Sequence, residues 1–119
     1  MKESILYQKS FEFSKNIVNF YQKYSNINKD NTLSRQLLRS GTSIGANIAE
    51  AQCGTSKNDF IAKLYISLKE ANESSYWIRL LKETNLIEEN DAKVLLSQVV
   101  EIQRMLIASL KTVKNEEGK

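Results

Sequence analysis

No proline interrupts the 119 residues, and only four glycines do. Such a chain keeps every backbone N–H and meets none of the ring clashes that stop a helix, so long helices are permitted throughout. Turn-rich β architectures, which use Gly and Pro at their corners, are disfavoured by the same composition. Apolar residues recur at helical offsets in four segments, about 3–25, 32–53, 57–83 and 88–114. The first places Leu6, Phe13, Ile17, Phe20 and Tyr24 on one stripe; the third runs Ile61, Leu64, Leu68, Ala71, Ser75, Ile78. The fourth opens with Glu88, Glu89 and Asp91 and closes with Lys111 and Lys114, the polarity a helix dipole favours. Short polar breaks lie between them. Asp30 to Thr32 supply N-cap candidates, Gly54 suits a left-handed helix end, and Ser56 with Asp59 suits a cap. The expectation is all-α: an antiparallel up-down-up-down four-helix bundle occupying 1–119 as a single domain.

Several chemistries are excluded by composition. There is no histidine, and Cys53 is the sole cysteine. This removes internal disulfides, imidazole or thiolate metal clusters, and Ser–His or Cys–His nucleophile pairs. No phosphate-cradling glycine loop is present, for Gly41 and Gly45 sit four apart inside a predicted helix. Glu50, Glu70 and Glu73 could hold Mg²⁺ between adjacent helices, but solvated or ion-paired glutamates are far commoner. The chain is expected to be non-enzymatic, with no cofactor. No window approaches the roughly 18 consecutive apolar residues of a membrane span. The opening MKESILYQKSFEFSK lacks an apolar signal core, which implies a cytoplasmic protein.

The most unusual segment is 35–51, RQLLRSGTSIGANIAEA, rich in Gly, Ala, Ser and Thr yet still apolar at helical spacing. A helix so poor in large side chains lets a neighbouring backbone come close. Ser43, Asn47 and Glu50 on it read as a half-buried hydrogen-bond network that fixes register, with Asn72 or Glu70 as partners; a ligand contact is the sharper alternative. Arg35 and Arg39, one turn apart, present two guanidinium forks suited to phosphate. Ion pairs with neighbouring glutamates are the alternative for them. Lys2, Lys9, Asn16 and Lys23 repeat every seven residues on the first segment, and the three lysines form a second basic stripe. The net charge of +3 and pI near 9.0 permit a polyanionic partner without demanding one. Tyr76, Trp77 and Arg79 read as a second core layer or part of a subunit interface, with a base-stacking platform as the sharper alternative.

Residues 39–50, RSGTSIGANIAE, carry a resemblance. They are similar to the hallmark Arg-Ser-Ala-x-Ser-Ile-x-x-Asn-Ile-Ala-Glu-Gly of four-helix-bundle proteins first noted as reading frames within intervening sequences of bacterial large-subunit rRNA genes. Arg39, Ser40, Ser43, Ile44, Asn47, Ile48, Ala49 and Glu50 match it. Gly41 stands where Ala is usual, and Ala51 where Gly is usual. KSFEF at 9–13 and LKEANESSYWIRLL at 68–81 also resemble the family. The resemblance implies a bundle commonly assembled as a ring-like homopentamer. It also implies kinship with accessory proteins of diversity-generating retroelements, which contact nucleic acid and a reverse transcriptase. The expected activity is therefore RNA or DNA binding from Arg35, Arg39, Lys2, Lys9 and Lys23, with docking of a partner enzyme as the rival.

Overall fold

The computed structural model describes residues 4–54 and 56–117. Its helices are α1 (Ile5–Ile27), α2 (Thr32–Gln52), α3 (Lys57–Glu83) and α4 (Glu89–Glu117). Side-chain contacts at opposite ends of each pair fix their directions. Gln52, at the end of α2, bonds to Ser4 before α1, while Asn31 before α2 donates to the Tyr21 hydroxyl near the end of α1. Glu50 pairs with Lys63 and Ser74 donates to Ser40, so α2 and α3 run oppositely. Gln103 donates to Asn72, and Lys114 lies over the Tyr65 ring, which sets α3 against α4. Lys9–Glu101 and Lys23–Asp91 close α1 onto α4. The result is an all-α, up-down-up-down antiparallel four-helix bundle of 52 × 24 × 21 Å.

Each helix contributes one buried stripe. Phe13, Ile17, Leu37, Ile44, Ile48, Leu64, Ile78, Ile102 and Leu106 are its most deeply enclosed members. The small residues of α2 allow the close approach their composition predicts. A Cβ on Gly41 would stand 2.9 Å from Ile17 Cγ1, and one on Gly45 would stand 3.3 Å from the Ser10 and Ser14 hydroxyls. On its other side α2 is stitched to α3 by serines. The Ser67 hydroxyl donates to the Ile44 carbonyl at 2.9 Å, and Ser74 donates to Ser40 at 2.8 Å, all within the buried seam. A short hydroxyl satisfied inside a dry interface fixes register without demanding volume.

Helix ends follow local chemistry. Ser4 and Ser56 cap α1 and α3 by accepting from the N–H groups of Tyr7 and Asp59. At α2, Asp30 accepts from both the backbone and hydroxyl of Thr32. Gly54 does not take the left-handed conformation expected of it; no glycine among the described residues has positive φ. Asn85 does, at φ 59°, where α3 ends. There the Leu86 N–H bonds to the Leu81 carbonyl and the Asn85 N–H to the Lys82 carbonyl, which is a Schellman closure. Asn tolerates that φ and a β-branched residue does not. Asn85→Val is expected to cost about 1–2 kcal/mol, read as a lower urea midpoint at unchanged m-value.

Candidate nucleic-acid interface

The cations singled out from sequence are dispersed by the fold. Arg39 lies between Glu70, at 3.3 Å, and Glu73, with which it makes its closest contact. Lys9 pairs with Glu101 at 3.1 Å across the α1–α4 edge. Lys23 pairs with Asp91 at 2.8 Å on the same edge. Arg35 sits beside the Tyr21 hydroxyl, whose pKa its hydrogen bond lowers. Lys2 lies outside the described residues. The structure thus brings Lys9 and Lys23 to one edge, Arg39 to the α2–α3 edge and Arg35 to the α1–α2 side.

Ser43 and Asn47 bond locally. Ser43 donates to the Arg39 carbonyl at 2.6 Å, and Asn47 to the Ser43 carbonyl at 2.8 Å, each one turn back along α2. Glu50 pairs with Lys63 at 2.7 Å on the surface. No network joins these residues to Asn72 or Glu70: Asn72 faces Gln103 on the opposite side of α3, and Glu70 is taken by Arg39. The buried register contacts between α2 and α3 come instead from Ser40, Ser67 and Ser74. Glu50, Glu70 and Glu73, the carboxylates capable of holding Mg²⁺, each face a basic side chain. Among the described residues no three His, Cys, Asp or Glu side chains are grouped as a metal site requires.

Trp77 is half-buried, and its indole N–H donates to Glu73 at 3.2 Å. Burial raises the Glu73 pKa, but the hydrogen bonds from Trp77 and Arg39 outweigh it and hold the carboxyl below its ordinary value. Tyr76 stands edge-on to Trp77 with ring centres 5.1 Å apart and is 58% exposed. Arg79, one turn on, is exposed.

These last residues belong to a surface that sequence reasoning did not assemble. Asn72 and Tyr65 mark the edge of α3 facing α4, through Gln103 and Lys114. Offsets of three, four and seven residues return to one helical stripe, so Lys69, Tyr76 and Arg79 share it. On α4, Gln103 and Lys114 mark the facing edge, and Lys93, Val100, Arg104, Ile107 and Lys111 continue it outward. Lys69, Arg79, Lys93, Arg104, Lys111 and Lys114 are all exposed. None makes an ion pair among the described residues, although the charge of Lys69 reaches Glu73. The neighbouring carboxylates make their ion pairs elsewhere: Glu70 and Glu73 with Arg39, Glu101 with Lys9. Among the described side chains, Glu83 and Glu89 are the carboxylates that remain on this stripe, both beside the α3–α4 turn. The α4 portion from Lys93 to Lys114 is about 32 Å long. A signal for it is legible in retrospect: Glu101 is the sole carboxylate between Asp91 and Glu116.

One end of the bundle is locked by a polar hub. The buried Tyr24 hydroxyl donates to Asp91 at 2.5 Å and accepts from the Glu88 N–H at 2.9 Å. The Lys23 and Tyr24 hydrogen bonds hold the Asp91 carboxyl below its ordinary pKa, against a smaller opposing effect of burial. A carboxyl depressed by folding stabilises fully above its unfolded pKa of about 3.9. That contribution is lost as pH falls through the lower folded value. Asp91→Asn should therefore cost about 1 kcal/mol at neutral pH, discounted for partial exposure. Thermal melts of the two proteins should converge as pH drops below about 4.

The 23S rRNA-intervening sequence protein family matches residues 2–108. Among solved structures, the chain is similar to a protein of unknown function from the S23 ribosomal protein family of Bacteroides thetaiotaomicron VPI-5482. The two share 46% identity with a TM-score of 0.87, over 90% of this chain and 99% of that one. None of the curated proteins matches. No helix among the described residues is long and apolar enough to cross a membrane. A family match over nearly the whole chain, together with the shared bundle, makes this protein a member of the 23S rRNA-intervening sequence protein family.

Proposed function

We propose that this protein is a non-enzymatic, self-associating bundle that binds RNA or DNA as an accessory factor. The observation that carries the reading is the α3–α4 wall, where six exposed cations make no ion pair with a carboxylate among the described residues. Phosphate contacts from Lys and Arg supply most sequence-independent affinity for nucleic acid. Of the cations expected from sequence, Arg35 lies on the α1–α2 side beside Tyr21, where its charge also reaches Asp30, so it stands apart from that wall. Arg39, Lys9 and Lys23 would first have to exchange an existing ion pair for a phosphate.

The opposite wall supports self-association. Phe11 and Val18 on α1 are 52% and 40% exposed, and the outward positions of α2 beside them include Thr42, Ala46 and Ala49. An apolar face bordered by small uncharged side chains suits a second copy of the chain. A homopentamer would repeat the basic wall around a ring and multiply weak contacts. The competing reading, a scaffold that docks a partner enzyme through α3 aromatics, is weakened because Lys69 and Arg79 interleave with Tyr65 and Tyr76.

The test is binding of the purified protein to labelled structured RNA and to duplex DNA at about 50 and 200 mM salt, with assembly mass measured in parallel. Affinity that falls steeply with salt, shown by a species larger than a monomer, supports the proposal. A well-formed oligomer that binds neither nucleic acid at low salt overturns the nucleic-acid reading and favours the scaffold.

A further inference from the structure

Resting on the nucleic-acid reading above, we infer that the α3–α4 wall selects unpaired strands, stacking bases on Tyr65 and Tyr76. The two rings lie on one stripe of α3, eleven residues and so about 16 Å apart. Tyr65 is 41% exposed, with the Lys114 ammonium 4.9 Å from its ring centre. Tyr76 is more open, and its orientation is held from behind by the edge-on contact with Trp77. Trp77 is itself fixed through Glu73, which holds Arg39. Lys69 lies between the two tyrosines and Arg79 just beyond, so each aromatic plane has a cation within one turn. That alternation suits a strand whose bases turn inward to stack while its phosphates meet the flanking charges.

A duplex gains less from the same surface. Its base faces are hidden in the stack, and its base edges lie in a major groove at most about 12 Å wide, that of B-DNA, the A-form groove of duplex RNA being narrower and deeper. The bundle is 21–24 Å thick, so a wall made of two of its helices cannot enter that groove. It would meet only the phosphate backbone, and the tyrosines would contribute little.

The experiment uses fluorescein-labelled RNA of about 20 nucleotides and unstructured sequence, alone and annealed to its complement. Anisotropy is followed for the full chain, the Tyr65→Ala/Tyr76→Ala variant and the Tyr65→Phe/Tyr76→Phe variant, with circular dichroism to verify folding. The expected result is that the single strand binds at least tenfold tighter than the duplex. The alanine pair should lose at least tenfold for the single strand and little for the duplex, and the phenylalanine pair should retain both affinities. Equal affinity for the two forms overturns this inference while leaving the nucleic-acid reading standing, as does an alanine pair that behaves like wild type. Absence of binding to either form overturns both.

Discussion

Replacing Lys93, Arg104 and Lys111 together with glutamate is expected to lower nucleic-acid affinity by roughly a hundredfold or more at about 0.1 M salt. All three side chains are exposed and make no ion pair among the described residues, so the reversal breaks none of those pairs and buries no charge. The fold should survive, with a helical spectrum and melting temperature close to wild type, because surface changes of this kind cost little. Loss of three phosphate contacts should also flatten the plot of log affinity against log salt by about 2–3 in slope. Reversing Lys15 and Lys29, which are exposed on α1 and the α1–α2 connection, supplies the control. The proposal predicts a small, position-independent loss for that control. Equal losses from the two variants would mean that net charge, rather than the α3–α4 wall, governs binding.

The second large effect is expected from Phe13→Ala. The ring is fully enclosed, so truncation removes its transfer energy and leaves a cavity that a bundle with close α1–α2 contact cannot easily collapse. The expected cost is about 3–5 kcal/mol. For a chain of this size the melting temperature should fall on the order of 15 °C. Phe11→Ala, two residues away but half-exposed, should cost far less in a monomeric state. The contrast between the two can be read in one set of urea titrations. A Phe13→Ala protein that melts like wild type would contradict the packing described here.

The sequence carried the architecture well because helical periodicity is a property of single segments. Phe13, Ile17, Ile44, Ile78 and Ile102 fall on stripes visible without knowledge of any neighbour, and each is buried. The resemblance of residues 39–50 to the family hallmark was equally legible, and the family match spans residues 2–108. The left-handed helix end was less so. Gly54 has the intrinsic freedom for it, but Asn85 adopts it because the Leu86 and Asn85 N–H groups find carbonyls there.

The candidate site was the hardest part to read, for a physical reason. Whether a cation is available depends on which carboxylate lies across the interhelical gap, and that is set by packing between segments distant in sequence. Arg39 is thirty-one residues from Glu70 and thirty-four from Glu73, yet meets both. Lys9 reaches Glu101 in the same way. Counting charges along one helix could not reveal these pairings. It could have revealed the long acid-poor stretch of α4, which needs no partner to be seen.

The separation of free charge from paired charge also determines how an encounter with a polyanion proceeds in time. At physiological ionic strength the electric field decays over about 8 Å, whereas the bundle is 21–24 Å thick. A strand approaching the α1–α2 face would therefore feel little pull from the cations behind it, and on the proposed reading most collisions from that side would end without capture. On the proposed reading, a strand approaching the other face would be drawn in and turned along the axis of α4 before any contact forms. Capture by a lone subunit is then gated by its tumbling. A subunit held in a fixed assembly would have no such freedom, and the handing of a strand from one copy to the next would then depend on how far apart their charged faces are kept.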